Sequence, residues 1–152
     1  MPARSTPAKR ADFPAHHRLQ TRWMDADVYG HINNAVHYAL FDTAVNEALI
    51  ERGLLDPAES AEVALVVESG CSYFSELNFP GHVTAGLRVA HLGCSSVRYE
   101  LGLFGAGNDT AAAQGFFTHV YIDRLTRRPI PIPEQTRTFL EQLLKTGIAA
   151  SA

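Results

Sequence analysis

One long helix-forming stretch, followed mainly by strand-like segments, is what most limits the folds open to this chain. From Ala35 to Arg52 apolar residues recur at helical spacing, with Phe41, Ala44, Val45 and Ala48 on one face. Gly53 is the usual helix-stopping residue and Pro57 lies a little beyond it. At 1.5 Å per residue this helix would span about 27 Å. Four segments with strand character follow, at 62–76, 82–92, 95–105 and 111–123. The turn signals between them are Asn78-Phe-Pro-Gly81, Gly93-Cys94 and Gly105-Ala-Gly-Asn-Asp109. Ahead of the helix, residues 16–23 alternate, with Leu19, Thr21 and Trp23 on one side and Arg18, Gln20 and Arg22 on the other. This order predicts an antiparallel meander and not a βαβ repeat. One apolar-faced helix and one sheet can each bury a face only against the other, which is the two-layer α+β arrangement. A short helix over 134–145 follows a Pro-rich turn. The expected organisation is a flexible arm at 1–14, a single domain at 15–147 and a tail at 148–152.

The loop before the helix carries the densest chemistry. Asp25, Asp27, Gly30, His31, Asn33 and Asn34 fall within ten residues, where Asn and Asp have strong turn and cap character. The first turn of a helix presents unpaired N–H groups and the positive end of the helix dipole, which polarise a carbonyl oxygen. A carboxylate beside it supplies a group that attacks or that activates water, so the pair has both halves of an acyl-transfer site. Ordinary loop and cap residues are the alternative reading of the same cluster.

Other function classes find less support. The net charge of −3 offers no electrostatic footprint for nucleic acid, and no basic block with interleaved aromatics occurs. Charged residues make up 19% of the 152-residue chain, a low fraction that leaves room for a buried interface. Cys71 and Cys94 form neither a metal-type pair nor a disulfide framework. Gly70-Cys-Ser72 and Gly93-Cys-Ser95 lack the second Gly of a nucleophile elbow. There is no His-Glu-x-x-His, and His31 and His37 are not spaced for one helical face, so no metal is expected. His16 and His17 read as surface residues near the strand start. The basic N-terminus precedes no apolar core segment and no run approaches a membrane span, which fits a cytoplasmic protein.

The pattern Asp25-x-Asp27-x-x-Gly30-His31-x-Asn33-Asn34-x-x-x-Tyr38, followed by Phe41-Asp42, resembles the signature of hotdog-fold acyl-CoA thioesterases of the 4-hydroxybenzoyl-CoA thioesterase group. The resemblance continues through Gly70-Cys-Ser-Tyr-Phe74, Leu92-Gly-Cys-Ser95-Ser96-Val-Arg-Tyr-Glu100, His119-Val-Tyr-Ile-Asp123 and Arg128-Pro-Ile-Pro-Ile-Pro133, covering residues 15–140. It implies a long central helix wrapped by a five- to six-stranded antiparallel sheet, and hydrolysis of an acyl-CoA to free acid and CoA without a cofactor.

The resemblance also assigns roles. Asp27 stands where the family has its catalytic carboxylate, acting as general base or by direct attack, and Asp25 where it has a supporting residue. His31 matches a His of plant acyl-carrier-protein thioesterases, and Asn34 stands where some bacterial relatives carry one. Gly30 would offer its N–H to the thioester carbonyl, with Asn33 or Asn34 capping the helix and holding water. Glu47 is the alternative suggested by a branch that uses a helix Glu. Tyr29, Tyr38 and Asp42 would line the acyl pocket or the subunit contact. Ser96 and Arg98 are further candidate substrate contacts, and Arg88, Arg98, Arg124, Arg127 and Arg128 are candidates for the CoA phosphates. Hotdog proteins join sheets edge to edge in twofold dimers, and tetramers are common among them. A non-catalytic acyl-CoA binding module and an acyl-carrier-protein thioesterase are the competing readings.

Overall fold

The computed structural model describes residues 6–144. Its strands are β1 (Ala15–Gln20), β2 (Glu62–Tyr73), β3 (His82–Leu92), β4 (Ser96–Gly105) and β5 (Ala113–Asp123), and its helices are α1 (Val36–Glu51) and α2 (Glu134–Gln142). The strands form one five-stranded antiparallel sheet in the order β1-β3-β4-β5-β2. This is the expected α+β arrangement with one correction. Only β3, β4 and β5 form a meander, because β2 pairs with β5, from Glu62↔Asp123 to Tyr73↔Ala113, and β1 takes the place beside β3.

The helix packs on the inner face of this sheet. Val83, Ala85, Leu87, Val89, Val97, Tyr99, Leu101, Leu103 and Phe117 alternate inward and form one core with Leu40, Phe41, Ala44, Val45 and Leu49 of α1. At Gly115 a Cβ would run into the Phe41 ring, so the sheet must carry no side chain there. Gly53, at φ +70°, follows the end of α1 as the sequence predicts.

Two expectations about the first 25 residues are corrected. The alternating pattern stops at Gln20, and Trp23–Asp25 forms a 3₁₀ turn that leaves Trp23 81% exposed. The turn is driven by Asp25, whose carboxylate accepts the Arg22 backbone N–H at 2.8 Å and the Arg22 guanidinium at 2.8 and 3.1 Å. The segment expected as a flexible arm to residue 14 is packed from Ala8 onward. Ala8 donates its N–H to Gln114 and accepts one from Ala111, while Phe13 is buried with Phe104 and Ala111 on the outer face of the sheet. Phe13 seats on two glycines, since a Cβ at Gly86 or Gly102 would lie 2.7 or 2.9 Å from its ring. The expected end of α2 at Lys145, residues 1–5 of the arm and the tail at 148–152 lie outside the described residues. Among the described residues no helix is long and apolar enough to cross a membrane.

Among the buried polar residues, Thr21, Asp25, His37, His119 and Thr136, His119 stands out. His119 is 2% exposed, is stacked on Phe117 and lies edge-on to Tyr99, and neither ring nitrogen has a hydrogen-bond partner among the described residues. Burial pushes its pKa down, against a weaker upward pull from Asp42. The unfolded chain therefore binds a proton that the folded one resists, so stability is full above about pH 6.5 and declines as pH falls through that value toward the depressed folded pKa. His119→Phe removes two unpaired polar atoms in similar volume. It is expected to raise the melting temperature near pH 5.5 and to flatten the acid limb of a melting-temperature profile between about pH 5 and 8.

Candidate active site

The loop from Asp25 to Asn34 is held by its own backbone. Asp27 is half-buried, and its Oδ1 accepts the N–H of Tyr29 at 2.8 Å and of His31 at 3.1 Å. The Asp27 N–H donates to the His31 carbonyl at 2.8 Å, and its carbonyl accepts the Gly30 N–H at 3.1 Å. The carboxylate is thus fixed through one oxygen, while Oδ2 has no hydrogen bond among the described residues. Gly30 sits at φ +79° with open space where its Cβ would be. Its lack of a side chain therefore serves the turn, and its N–H is closed on Asp27 instead of facing a substrate carbonyl, which corrects the expectation for this residue. Of the N–H groups from Val28 to Asn34, those of Val28 and Asn34 are left without an acceptor among the described residues.

A second strand of chain lies along this loop. Ile32 donates to the Leu77 carbonyl at 2.7 Å, Phe79 donates to the Gly30 carbonyl at 3.3 Å, and His31 bridges Asn78. The His31 Nε2 lies 3.0 Å from a carboxylate oxygen of Glu76, so its ring is oriented by a residue outside the motif. Sequence reasoning did not pick out Glu76, because pairing between loops leaves no local periodicity. The start of α1 is held by Asn33, whose Oδ1 accepts the Ala35 N–H at 2.9 Å and whose carbonyl accepts the Val36 N–H at 2.9 Å. The Asn33 N–H in turn donates to the Asp25 carbonyl at 2.8 Å. Asn34 is exposed, and its carbonyl accepts the Tyr73 hydroxyl at 2.8 Å. Burial pushes the Tyr73 phenol up to about 12, so it remains a donor. The same effect lowers the pKa of His37, whose Nδ1–H points at the Asn33 carbonyl 3.1 Å away.

Asp27 and Gly30 open onto a cleft of about 830 Å³ lined otherwise by Trp23, Met24, Ala26, Val28, Tyr29 and Phe79. Val28 is 91% exposed, and Met24 and Tyr29 are also largely exposed, so the walls are apolar and accessible. A cleft of about 860 Å³ lies between the end of α1 and the start of α2, lined by Ile50, Leu54, Pro57, Glu62 and Thr136 among others. The larger cleft also holds a carboxylate oriented by two backbone N–H groups, since Asp56 Oδ1 accepts those of Ala58 and Glu59. The smaller one is the better candidate for chemistry, because its walls are the more apolar and its carboxylate stands with His31 in the loop just ahead of α1. Tyr38 is half-buried edge-on to Phe41, and Asp42 is exposed and accepts a hydrogen bond from Asn46.

The basic candidates fall elsewhere. The Asp27 loop sits where β2 ends and β5 begins, because Tyr73 both pairs with Ala113 and bonds Asn34. Ser96 and the loop carrying Arg127 and Arg128 sit at the opposite end, beyond Asp123. β5 at about 3.4 Å per residue puts about 34 Å between the two ends. Arg98 lies between them on the outer face, its guanidinium 3.8 Å over the Phe116 ring. Arg88 is committed to Glu100 at 2.9 Å and to the Asp12 carbonyl, and Arg124 holds the carbonyls of Ser60 and Pro57. Arg127 and Arg128 lie on an exposed turn fixed by Asp123, whose carboxyl is held below its usual pKa by the N–H groups of Thr126 and Leu125. Asp27, Gly30, His31, Asn33, Asn34 and Tyr29 are therefore brought together within one chain, and Ser96, Arg98, Arg127 and Arg128 are not.

The sequence pattern of the thioesterase-like superfamily matches residues 21–141, from the loop through α1 and β2–β5 into α2. The chain belongs to the thioesterase-like superfamily. Among solved structures, the PA5185 protein of Pseudomonas aeruginosa strain PAO1 is 46% identical over 92% of this chain and 98% of its own, with a TM-score of 0.89. A thioesterase of Thermus thermophilus, solved with coenzyme A and Zn, is 28% identical over 87% of this chain and 93% of its own, with a TM-score of 0.68. The Slr0204 protein of Synechocystis, a 1,4-dihydroxy-2-naphthoyl-CoA thioesterase, shares the fold at 15% identity, with a TM-score of 0.76 over 84% of this chain and 96% of its own. No curated protein matches the sequence. Thioester hydrolysis is the activity class that membership of the thioesterase-like superfamily supports.

Proposed function

We propose that this protein hydrolyses acyl-CoA thioesters with Asp27 as the reacting carboxylate, in the manner of the 4-hydroxybenzoyl-CoA thioesterase group. The observation that carries this reading is a carboxylate clamped through Oδ1 with Oδ2 left unbonded at an apolar cleft. An acyl group and the pantetheine arm fit the walls of Trp23, Met24, Val28, Tyr29 and Phe79, with the thioester carbon presented to Oδ2. As general base, Oδ2 takes a proton from water, whose oxygen bonds to the carbonyl carbon while the C–S bond breaks and the thiolate leaves. As nucleophile, Oδ2 bonds to the carbonyl carbon while the C–S bond breaks and the thiolate leaves, giving a mixed anhydride that water then opens to free acid and the Asp27 carboxylate. With the Gly30 N–H occupied, polarisation of the carbonyl falls to the two loop N–H groups left without an acceptor among the described residues, that of Val28 in the cleft wall and that of Asn34 just ahead of α1. His31, steadied by Glu76, serves the departing thiolate as a proton donor.

The site reads as complete in a twofold dimer. β2 is the longer free edge of the sheet and carries exposed Leu65, Val66 and Val67, whereas β1 is a six-residue edge with His16, Arg18 and Gln20 outward. Antiparallel pairing of β2 with its symmetry copy sets the Glu62 end of one chain beside the Tyr73 end of the other. It thereby carries the Arg127–Arg128 loop of the partner toward the Asp27 cleft, resolving the separation of about 34 Å implied by the strand rise. Solution scattering should give a mass of at least twice 16.6 kDa.

The direct test is release of free thiol from a panel of acyl-CoAs, followed with a thiol reagent. Turnover with at least one ester supports the reading, and saturable binding of CoA esters with no thiol release would replace it with that of a binding module. The same acyl group on a short pantetheine should show a higher KM, and salt should raise KM for the CoA ester more than for the fragment. Equal constants for both at all salt concentrations would favour a carrier-protein substrate.

A further inference from the structure

We propose that His17, Glu47 and Glu51 form a binding site for a divalent zinc ion that ties the edge strand β1 to α1. His17 lies on the inner side of β1, half-buried, and its Nε2 contacts the Glu47 carboxylate. Glu51 is one helical turn further along α1, and one ligand atom from each of the three residues lies within 4.8 Å of the others. Ligand atoms about 2.1 Å from a tetrahedral zinc stand about 3.4 Å apart, so small side-chain rotations close the site around an ion. An imidazole with two carboxylates is a donor set suited to zinc, with the outward-facing fourth position open to water.

Electrostatics favour a cation independently of this geometry. Two carboxylates four residues apart on a helix repel one another, and one imidazole is a weak counterweight. Cations close by in the sequence are engaged elsewhere. Arg18 contacts His82, Arg22 is paired with Asp25, and the Arg52 guanidinium lies 4.3 Å over the Phe139 ring. Among the described residues no Lys or Arg forms an ion pair with Glu47 or Glu51. A divalent ion neutralises the pair and fastens a strand whose sheet bonding is to β3 on one side only.

The test uses the full chain, stripped of metal with a chelator, dialysed and titrated with zinc chloride by calorimetry and by thermal melting. One equivalent should bind, and the melting temperature should rise by several degrees at saturation. Glu51→Gln, on the exposed side of α1, should melt like wild type in chelator yet bind zinc at least tenfold more weakly, and His17→Gln should do the same. Glu76→Gln, which alters the other His–Glu surface pair, should bind like wild type. Absence of stoichiometric binding overturns the proposal. So does wild-type affinity in Glu51→Gln, or loss of binding in Glu76→Gln with retention in His17→Gln.

Discussion

Asp27→Asn is expected to lower kcat for thioester hydrolysis by at least about 100-fold, equivalent to about 2.7 kcal/mol, while the melting temperature stays close to that of wild type. The separation follows from the division of labour between the two carboxylate oxygens. Asparagine keeps Oδ1 as an acceptor for the N–H groups of Tyr29 and His31, so the turn persists. It replaces Oδ2, the free atom, with an amide nitrogen that neither attacks nor accepts a proton. Asp27→Ala is the informative companion, because it also abandons both backbone donors and should lose about 1–2 kcal/mol of stability along with activity. Steady-state kinetics and thermal melts on the two variants measure both effects. An asparagine variant retaining a third of wild-type turnover would move the reactive group elsewhere, with His31 the next residue to change.

Phe41→Ala should lower stability by about 3–5 kcal/mol, a large part of the stability of a domain this size. Phe41 is fully buried, meets Phe117 edge-on at 6.2 Å and fills the space that Gly115 leaves open. Both partners are set by strand pairing, so neither can collapse into the gap. The melting temperature is expected to fall by about 10 °C or more, in equilibrium melts or denaturant titration. Gly115→Ala tests the same contact from the other side, since its Cβ would also lie 2.8 Å from the Gly70 carbonyl oxygen. Overpacking there should cost about 1–3 kcal/mol. A Phe41→Ala loss below about 1 kcal/mol would show that α1 is not seated on the sheet as described.

What could be read in the sequence was what local spacing controls. The span of α1, its stop at Gly53 and the positions of β2 to β5 follow from periodicity and turn residues, and the structure shifts their ends by no more than three residues. Strand partnership was not legible, because β2 and β3 carry the same alternation whichever neighbour they take, and β2 lies beside β5. Trp23 fitted an alternating pattern, yet the pull of the Asp25 carboxylate on Arg22 turns the chain before it. Phe13 sat in a stretch with arm-like composition, and its anchorage depends on Gly86 and Gly102, more than seventy residues distant. The cluster around Asp27 was contiguous and therefore legible. Glu76, the separation of Arg127 and Arg128 from that cluster, and the reason for Gly30 all depend on tertiary placement. The resemblance makes Gly30 an N–H donor to the thioester carbonyl, whereas its φ of +79° and its bond to the Asp27 carbonyl make it a hinge pin of the turn.

The clamp on Asp27 also fixes when entropy is lost. A freely rotating carboxylate must be immobilised each time an ester arrives, at about 0.5–1.5 kcal/mol for an ordered side chain. Here the acceptor role of Oδ1 stops that rotation as the polypeptide folds, so the reacting oxygen is aimed before any ligand is present. Substrate affinity is then left to fix the thioester alone, and the barrier inherits a collision geometry that does not depend on how the acyl chain is built. Esters with quite different tails should therefore differ in KM far more than in the chemical step.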